Sequence, residues 1–204
     1  MLKTIFSSIL SLLAIAGLAS AGVVNSSNAT ASLLEVQVNG VGVVGGFLSV
    51  GTTAAGDAAL SDASTAQGAL LADWNQFGDD TSFGTPGVNG LAGFFSIAAD
   101  GNGGVAPFNG NTIYLIGGNG STLANSSSLF IIKGAGTFGP DLPLFSGSVN
   151  IGTDEALLGA IGGTNGLNGG DAFQMANVGG IIPEPGVSIL ALFSAGLLVL
   201  RRRR

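Results

Sequence analysis

The side chains in this sequence with the types and spacing for chemistry are acids set beside Asn and Gly. Asp79-Asp80 and Asp154-Glu155 are adjacent carboxylate pairs. Glycoside hydrolysis needs two carboxyls facing each other across a sugar, roughly 5 to 9.5 Å apart. Neighbours in sequence diverge in a strand or loop, so adjacency alone does not build that site. Asp73, Asn75, Asp79 and Asp80 of "DWNQFGDD", and Asp100 and Asn102 of "ADGNGG", offer hard oxygen ligands to calcium. Neither stretch has the full calcium loop with its terminal Glu, and ordinary turn chemistry is the expectation for both. "GGTNGLNGGDAF" (Gly162 to Phe173) is similar to one degenerate turn of a Gly-Gly-x-Gly-x-Asp repeat, an architecture that needs several stacked copies. Lys133 is the one amine in the central region open to Schiff-base chemistry, and it is expected to be a solvated charge.

Absences narrow the chemistry further. The chain has no Cys and no His. Disulfides, thiol nucleophiles and Ser-His-Asp relays are therefore excluded, and zinc and haem lose their usual ligands. No cofactor, no metal and no enzymatic activity are expected. Gly-rich stretches lack the Gly-Lys-Ser/Thr ending of a phosphate loop, which speaks against nucleotides. Between residues 22 and 182 there are eleven acids and a single base, a net charge of -10. Phosphate backbones need Lys and Arg neighbours, so nucleic acid is not a partner. Asn25, Asn28, Asn119 and Asn125 open Asn-x-Ser/Thr triplets, read here as chance matches in a chain rich in those residues.

The elements that would position these groups are mainly strands. At 204 residues, with 36 Gly and 9% charged side chains, the chain has room for one domain plus processing segments. Runs rich in Val, Ile, Phe and Tyr occur at 32–38, 46–50, 93–99, 111–118 and 128–134, each bounded by turn formers. "SVNIG" and 171–178 are weaker strand candidates. Leu34, Val36 and Val38 alternate with Glu35 and Gln37, which predicts one buried and one wet face. Asn39-Gly40, Asp100-Gly101, Asn109-Gly110 and Asn119-Gly120 read as turns. Ala66, Leu70, Trp74 and Phe77 recur at helical spacing, predicting a helix over 61–77, capped by Ser61 and ended by Gly78. Residues 153–160, where Thr153 and two acids precede apolar residues, read as a helical turn. The fold class expected is all-β, an antiparallel sandwich or jelly-roll with one short helix and a thin core.

The two ends carry addresses. Lys3, the apolar run Ile5 to Leu18, and Ala19-Ser20-Ala21 form the three parts of a secretory signal. Ala19 and Ala21 fit the small pockets of a signal peptidase, which places cleavage after Ala21. At the other end, the prolines of Pro183-Glu184-Pro185 enforce a stiff extended segment. Val187 to Leu200 then runs without a charge. As a helix it spans about 21 Å, short of the ~30 Å hydrocarbon core. Arg201, Arg202, Arg203 and Arg204 close the chain as stop-transfer charges. Such a segment halts in a membrane but is poorly made for staying there.

The order Pro-Glu-Pro, apolar stretch, terminal Arg cluster resembles the PEP-CTERM sorting signal of exported bacterial proteins. The likeness covers about the last 22 residues and implies recognition by an exosortase, an integral-membrane cysteine protease-transpeptidase that acts near the motif. It also implies a place in the cell envelope, exopolysaccharide or biofilm matrix. The organisation expected is a signal helix at 1–21, an exported Gly/Asn-rich β domain at 22–180, and a sorting segment with a short transmembrane helix at 181–204. The body is expected to be structural. The rival expectation is a carbohydrate-binding module, calcium-assisted, that grips exopolysaccharide through Trp74, Tyr114 and exposed Phe side chains.

Overall fold

In the computed structural model of this chain, the structure describes residues 22–28, 33–84, 91–139 and 145–179. The β-branched and aromatic runs form strands, as their propensities require, and two helices are short. The fold is all-β at this level.

A central sheet is built from β4 (Phe47–Thr52), β8 (Thr112–Gly118), β9 (Ser128–Thr137) and β11 (Glu155–Leu158), in the order β11-β9-β8-β4. The short β5 (Asn75–Gln76) and β6 (Thr81–Ser82) pair with β4, and β14 (Ala176–Asn177) pairs with β9. Every pairing in this sheet is antiparallel. A second sheet has the order β10 (Ser146–Ser148), β1 (Gly22–Ser27), β7 (Ser96–Gly101). A third runs β12 (Ala160–Thr164), β13 (Asp171–Gln174), β2 (Glu35–Val38), β3 (Val41–Gly42). Here the antiparallel expectation needs correction, because β1 with β10 and β13 with β2 pair in parallel. Parallel neighbours need a long crossover, and in both pairs most of the chain lies between the partners.

The central sheet is covered on both faces, which is why "TIYLIGG" and "SLFII" are apolar almost throughout. Leu48, Val50, Ile113, Leu115, Phe130 and Ile132 face one cluster, shared with Val24 of β1, Val36 of β2, Ile97 of β7 and Phe173 of β13. Side chains of opposite parity, Tyr114, Ile116, Leu129 and Ile131, face a second cluster with Leu60, Ala66 and Leu70. The first cluster is rich in phenylalanine rather than thin. The Phe130 ring lies 5.9 to 6.5 Å from those of Phe83, Phe95 and Phe173.

Of the helix predicted over 61–77 only α2 (Ala66–Asp73) forms, and a second short helix that the sequence reading missed, α1 (Asp57–Ser61), precedes it. Ser61 ends the first instead of capping the second. Between them the Asp62 carboxylate accepts hydrogen bonds from the Ser64 N–H and hydroxyl at 2.8 and 2.7 Å, a local turn that competes with continued helix. Phe77 is not helical. It joins the opposite cluster, with its N–H bonded to the Val50 carbonyl at 2.7 Å.

Other local readings change as well. Residues 155–158 are strand β11, since their backbone finds β9 beside it. Asp100 and Gly101 lie within β7, opposite Val23 and Gly22, and form no turn. Asn39 and Gly40, with φ of 52° and 80°, do make the tight hairpin turn between β2 and β3. Gly162 to Phe173 is the hairpin of β12 and β13, with Thr164 opposite Asp171. Glu35 and Gln37 do not face water. They are 8% and 1% exposed.

Candidate functional site

Ala19, Ala21, Pro183, Glu184, Pro185 and Arg201 to Arg204 lie outside the described residues. The structure does define the folded body that they flank. Gly22, the residue directly after Ala21, is the first residue of β1 and pairs with Gly101. The Val23 N–H donates to the Phe145 carbonyl at 2.9 Å, and Val24 is fully buried. At the other end the Val178 N–H donates to the Ser127 carbonyl at 3.0 Å. No helix among the described residues is long and apolar enough to cross a membrane.

Within the body, charged chemistry converges on Lys133. Tyr114, Lys133 and Glu155 stand opposite one another across β8, β9 and β11, so their side chains share a row on the helix-covered face. Asp57, in the first turn of α1, reaches the same point. Its carboxylate lies 2.5 Å from the Lys133 ammonium, and the Glu155 carboxylate lies 3.8 Å from it. The Tyr114 hydroxyl donates to Asp57 at 3.3 Å. Lys133, by donating a hydrogen bond and then by its charge, holds the Asp57 carboxyl below the usual carboxylate range, and Tyr114 adds to this. Asp57 in turn holds the Lys133 ammonium above its ordinary value. Burial, followed by the Asp57 charge, raises the Tyr114 phenol. Lys133 is thus an ion-pair partner rather than a solitary solvated charge. The ion pair favours the protonated amine, which is not the nucleophilic form.

A shallow open groove of about 300 Å³ lies beside this row, lined by Lys133, Gly134, Ala135, Thr153, Asp154 and Glu155. Its acids are engaged in structure. Asp154 accepts from the Asn150 N–H at 2.9 Å, and Glu155 faces Lys133. Asp73 accepts from the Ala54 N–H at 2.5 Å. Among the described residues no three acids converge into a set able to hold a metal ion.

Of the aromatic side chains proposed for sugar stacking, Tyr114 is buried and Trp74 is half-buried. Tyr114 is 5% exposed, and the Trp74 indole N–H donates to the Ser49 hydroxyl at 3.2 Å while its ring packs beside the helix cluster. The large apolar side chains that are exposed among the described residues, such as Val41, Val44, Ile161 and Leu167, are all aliphatic.

Two polar sites escaped the sequence reading. Asn28 is completely buried, and its side chain donates to the carbonyls of Leu34 and Gly93 at 2.6 and 2.7 Å and accepts from the Phe95 N–H at 2.8 Å. Its amide nitrogen is therefore closed to a glycan in the folded body. Glu35 accepts from the Gly166 N–H at 2.6 Å and the Gln37 amide at 2.8 Å, and Gln174 donates to Gln37 at 2.5 Å. That network ties the loop between β12 and β13 to β2. Local alternation could not reveal it, because the covering loop comes from the far end of the chain. Compared with protein-family models, with curated proteins and with solved structures, the chain finds no match.

Proposed function

We propose that this is an exported bacterial protein whose tail is a PEP-CTERM-type sorting signal, read by an exosortase-like membrane protease, and whose body is a non-enzymatic component of the cell envelope or extracellular matrix. The observation that carries the reading lies in the sequence: Lys3, an apolar run and Ala19-Ser20-Ala21 at one end, and Pro183-Glu184-Pro185, an uncharged run and Arg201 to Arg204 at the other. The described strands and helices fall between these two segments. Within the body, two small sheets on one face of the central sheet make a sandwich-like packing, with α1 and α2 on the other face. The net charge of -10 between residues 22 and 182 suits a self-repelling, solvated matrix component. Exopolysaccharide is the surrounding medium in this reading.

The tail is tested by separating its two roles. Glu184→Ala leaves both prolines and the anchor in place, and it should trap a membrane-bound, uncleaved form. Replacing Arg201 to Arg204 by Ser removes the stop-transfer charges, so unprocessed protein should appear in the soluble exported fraction. Fractionation with an antibody to the body reads both. If both variants are processed and located like the parent, the tail is not a sorting signal.

A further inference from the structure

Charge and apolar exposure are unevenly spread over this body. Eleven acids lie between residues 22 and 182, and none of them falls within 156–170. That stretch holds β12, an end strand of the third sheet, which pairs with β13 on one side. No strand among the described residues pairs with its other side. Ile161 on β12 and Leu167 in the loop after it are 52% and 54% exposed. Ala160, Gly163 and Thr164 are exposed as well. A side-chain carbon placed on Gly162 would meet nothing within 4 Å. Open edges are ordinarily blunted by charges, by Pro or by a bulge. β12 has an irregular register between Ile161 and Thr164, but the stretch 156–170 has no charge and no Pro.

We propose that this edge binds a second copy of the chain, β12 against β12, antiparallel about a two-fold axis. Charge selects the occupant. With a net charge of -10 between residues 22 and 182, two bodies repel in most orientations. They meet without setting acid against acid where both surfaces are uncharged, and a two-fold contact places the same uncharged edge on both sides. With the axis at Gly162, Ile161 stands opposite the partner's Gly163 and Ala160 opposite the partner's Thr164. The two Ile161 side chains then lie diagonally across the axis, within reach of one another. Each covers a glycine that has no side chain of its own. Two four-stranded sheets join into one.

The chain has no Cys, so a single introduced thiol reports contact without background. Gly162→Cys puts that thiol at the axis, where the backbone has room for a side chain and no positive φ. Directly opposed strand residues lie within the Cα separation a disulfide needs. Val105→Cys, half exposed in the loop between β7 and β8, reports any joining through the apolar ends. Both full-length chains are oxidised in detergent micelles and read on a non-reducing gel. Gly162→Cys should form dimer about tenfold faster or more, because paired thiols meet at a raised effective concentration. Adding Ile161→Glu sets two acids across the axis and should slow it to the rate of Val105→Cys. Circular dichroism checks that this variant is folded, and Ala160→Glu takes its place if it is not. Equal rates for Gly162→Cys and Val105→Cys overturn the inference. So does a Gly162→Cys dimer that persists with the added acid in a folded chain. If the same thiol in the native host joins a different macromolecule instead of a second copy, the edge belongs to another partner and the inference is overturned as well.

Discussion

Lys133 is the single base between residues 22 and 182, and the fold sets it between two carboxylates, Asp57 and Glu155. The sequence makes this residue visible as the lone cation. It does not make the pairing visible, because Asp57 arrives through the docking of α1 on the sheet. The cluster fixes how stability should vary with pH. Asp57 is held below its ordinary value. Its share of stability is therefore complete above about pH 4 and is lost as the pH falls through the lower folded value. Lys133 is held above its ordinary value. Its share is complete below about pH 10 and is lost as the pH rises through the folded value. Lys133→Met removes both contributions. We predict a small drop in the urea midpoint at neutral pH, small because the pair is partly solvated. The difference from the parent should shrink toward both extremes of pH. A constant difference across the range would show that the ion pair contributes nothing. Asn28 gives the opposite lesson at this scale. In the sequence it opens an Asn-x-Thr triplet read as a chance match, and only the backbone groups of Leu34, Gly93 and Phe95 reveal it as an interior clasp.

Among the elements, the legible ones were those whose pattern is local and strong. The runs that became β4, β8 and β9 bury nearly every residue, and their composition needs no partner to announce a strand. The stretches misread were those where tertiary contact decides. Residues 155–158 have no strand-rich composition and are made a strand by the open edge of β9. β1 was hidden because "GVVNSS" is short and half polar, and β12 because "AIGGT" is small and exposed. One position at the junction of β11 and β12 is more demanding than its sequence context shows. Gly159, with φ of 88°, marks the point where the chain leaves the central sheet for the third sheet. A side-chain carbon there would lie 2.6 Å from the Phe173 ring. Gly159→Ala therefore combines left-handed strain of about 1–2 kcal/mol with overpacking of about 1–3 kcal/mol. We predict a loss of roughly 2–5 kcal/mol, read as a fall in denaturation midpoint with unchanged slope. A loss below about 0.5 kcal/mol, the size of an ordinary surface change, would mean the corner can shift freely.

For the whole molecule, the all-β class was readable in the sequence, while the order of strands in the sheets was not. Hydrophobic runs say that sheets form. They cannot say that β1 lies parallel to β10 or β13 parallel to β2, because those choices depend on how distant surfaces close over one another. Residues 22–180 expressed alone should contain every one of these pairings. We predict a soluble protein with a β-dominated circular dichroism spectrum, a minor helical part and one cooperative melt that chelator leaves unchanged. A coil spectrum without cooperative melting, or a melt that moves by many degrees with millimolar calcium, would contradict this. The pairing of β14 has a mechanical consequence. If the body is held by its tail, pulling force enters at Val178 and reaches β14, a two-residue strand paired to β9 at Leu129 and Ser128. So short a ladder has few bonds over which to share the load. Beyond Met175 the force meets β13, which lies between β12 and β2 and is paired on both sides. Under tension the body should first pay out β14, lengthening the tether by a few residues, and then hold at β13.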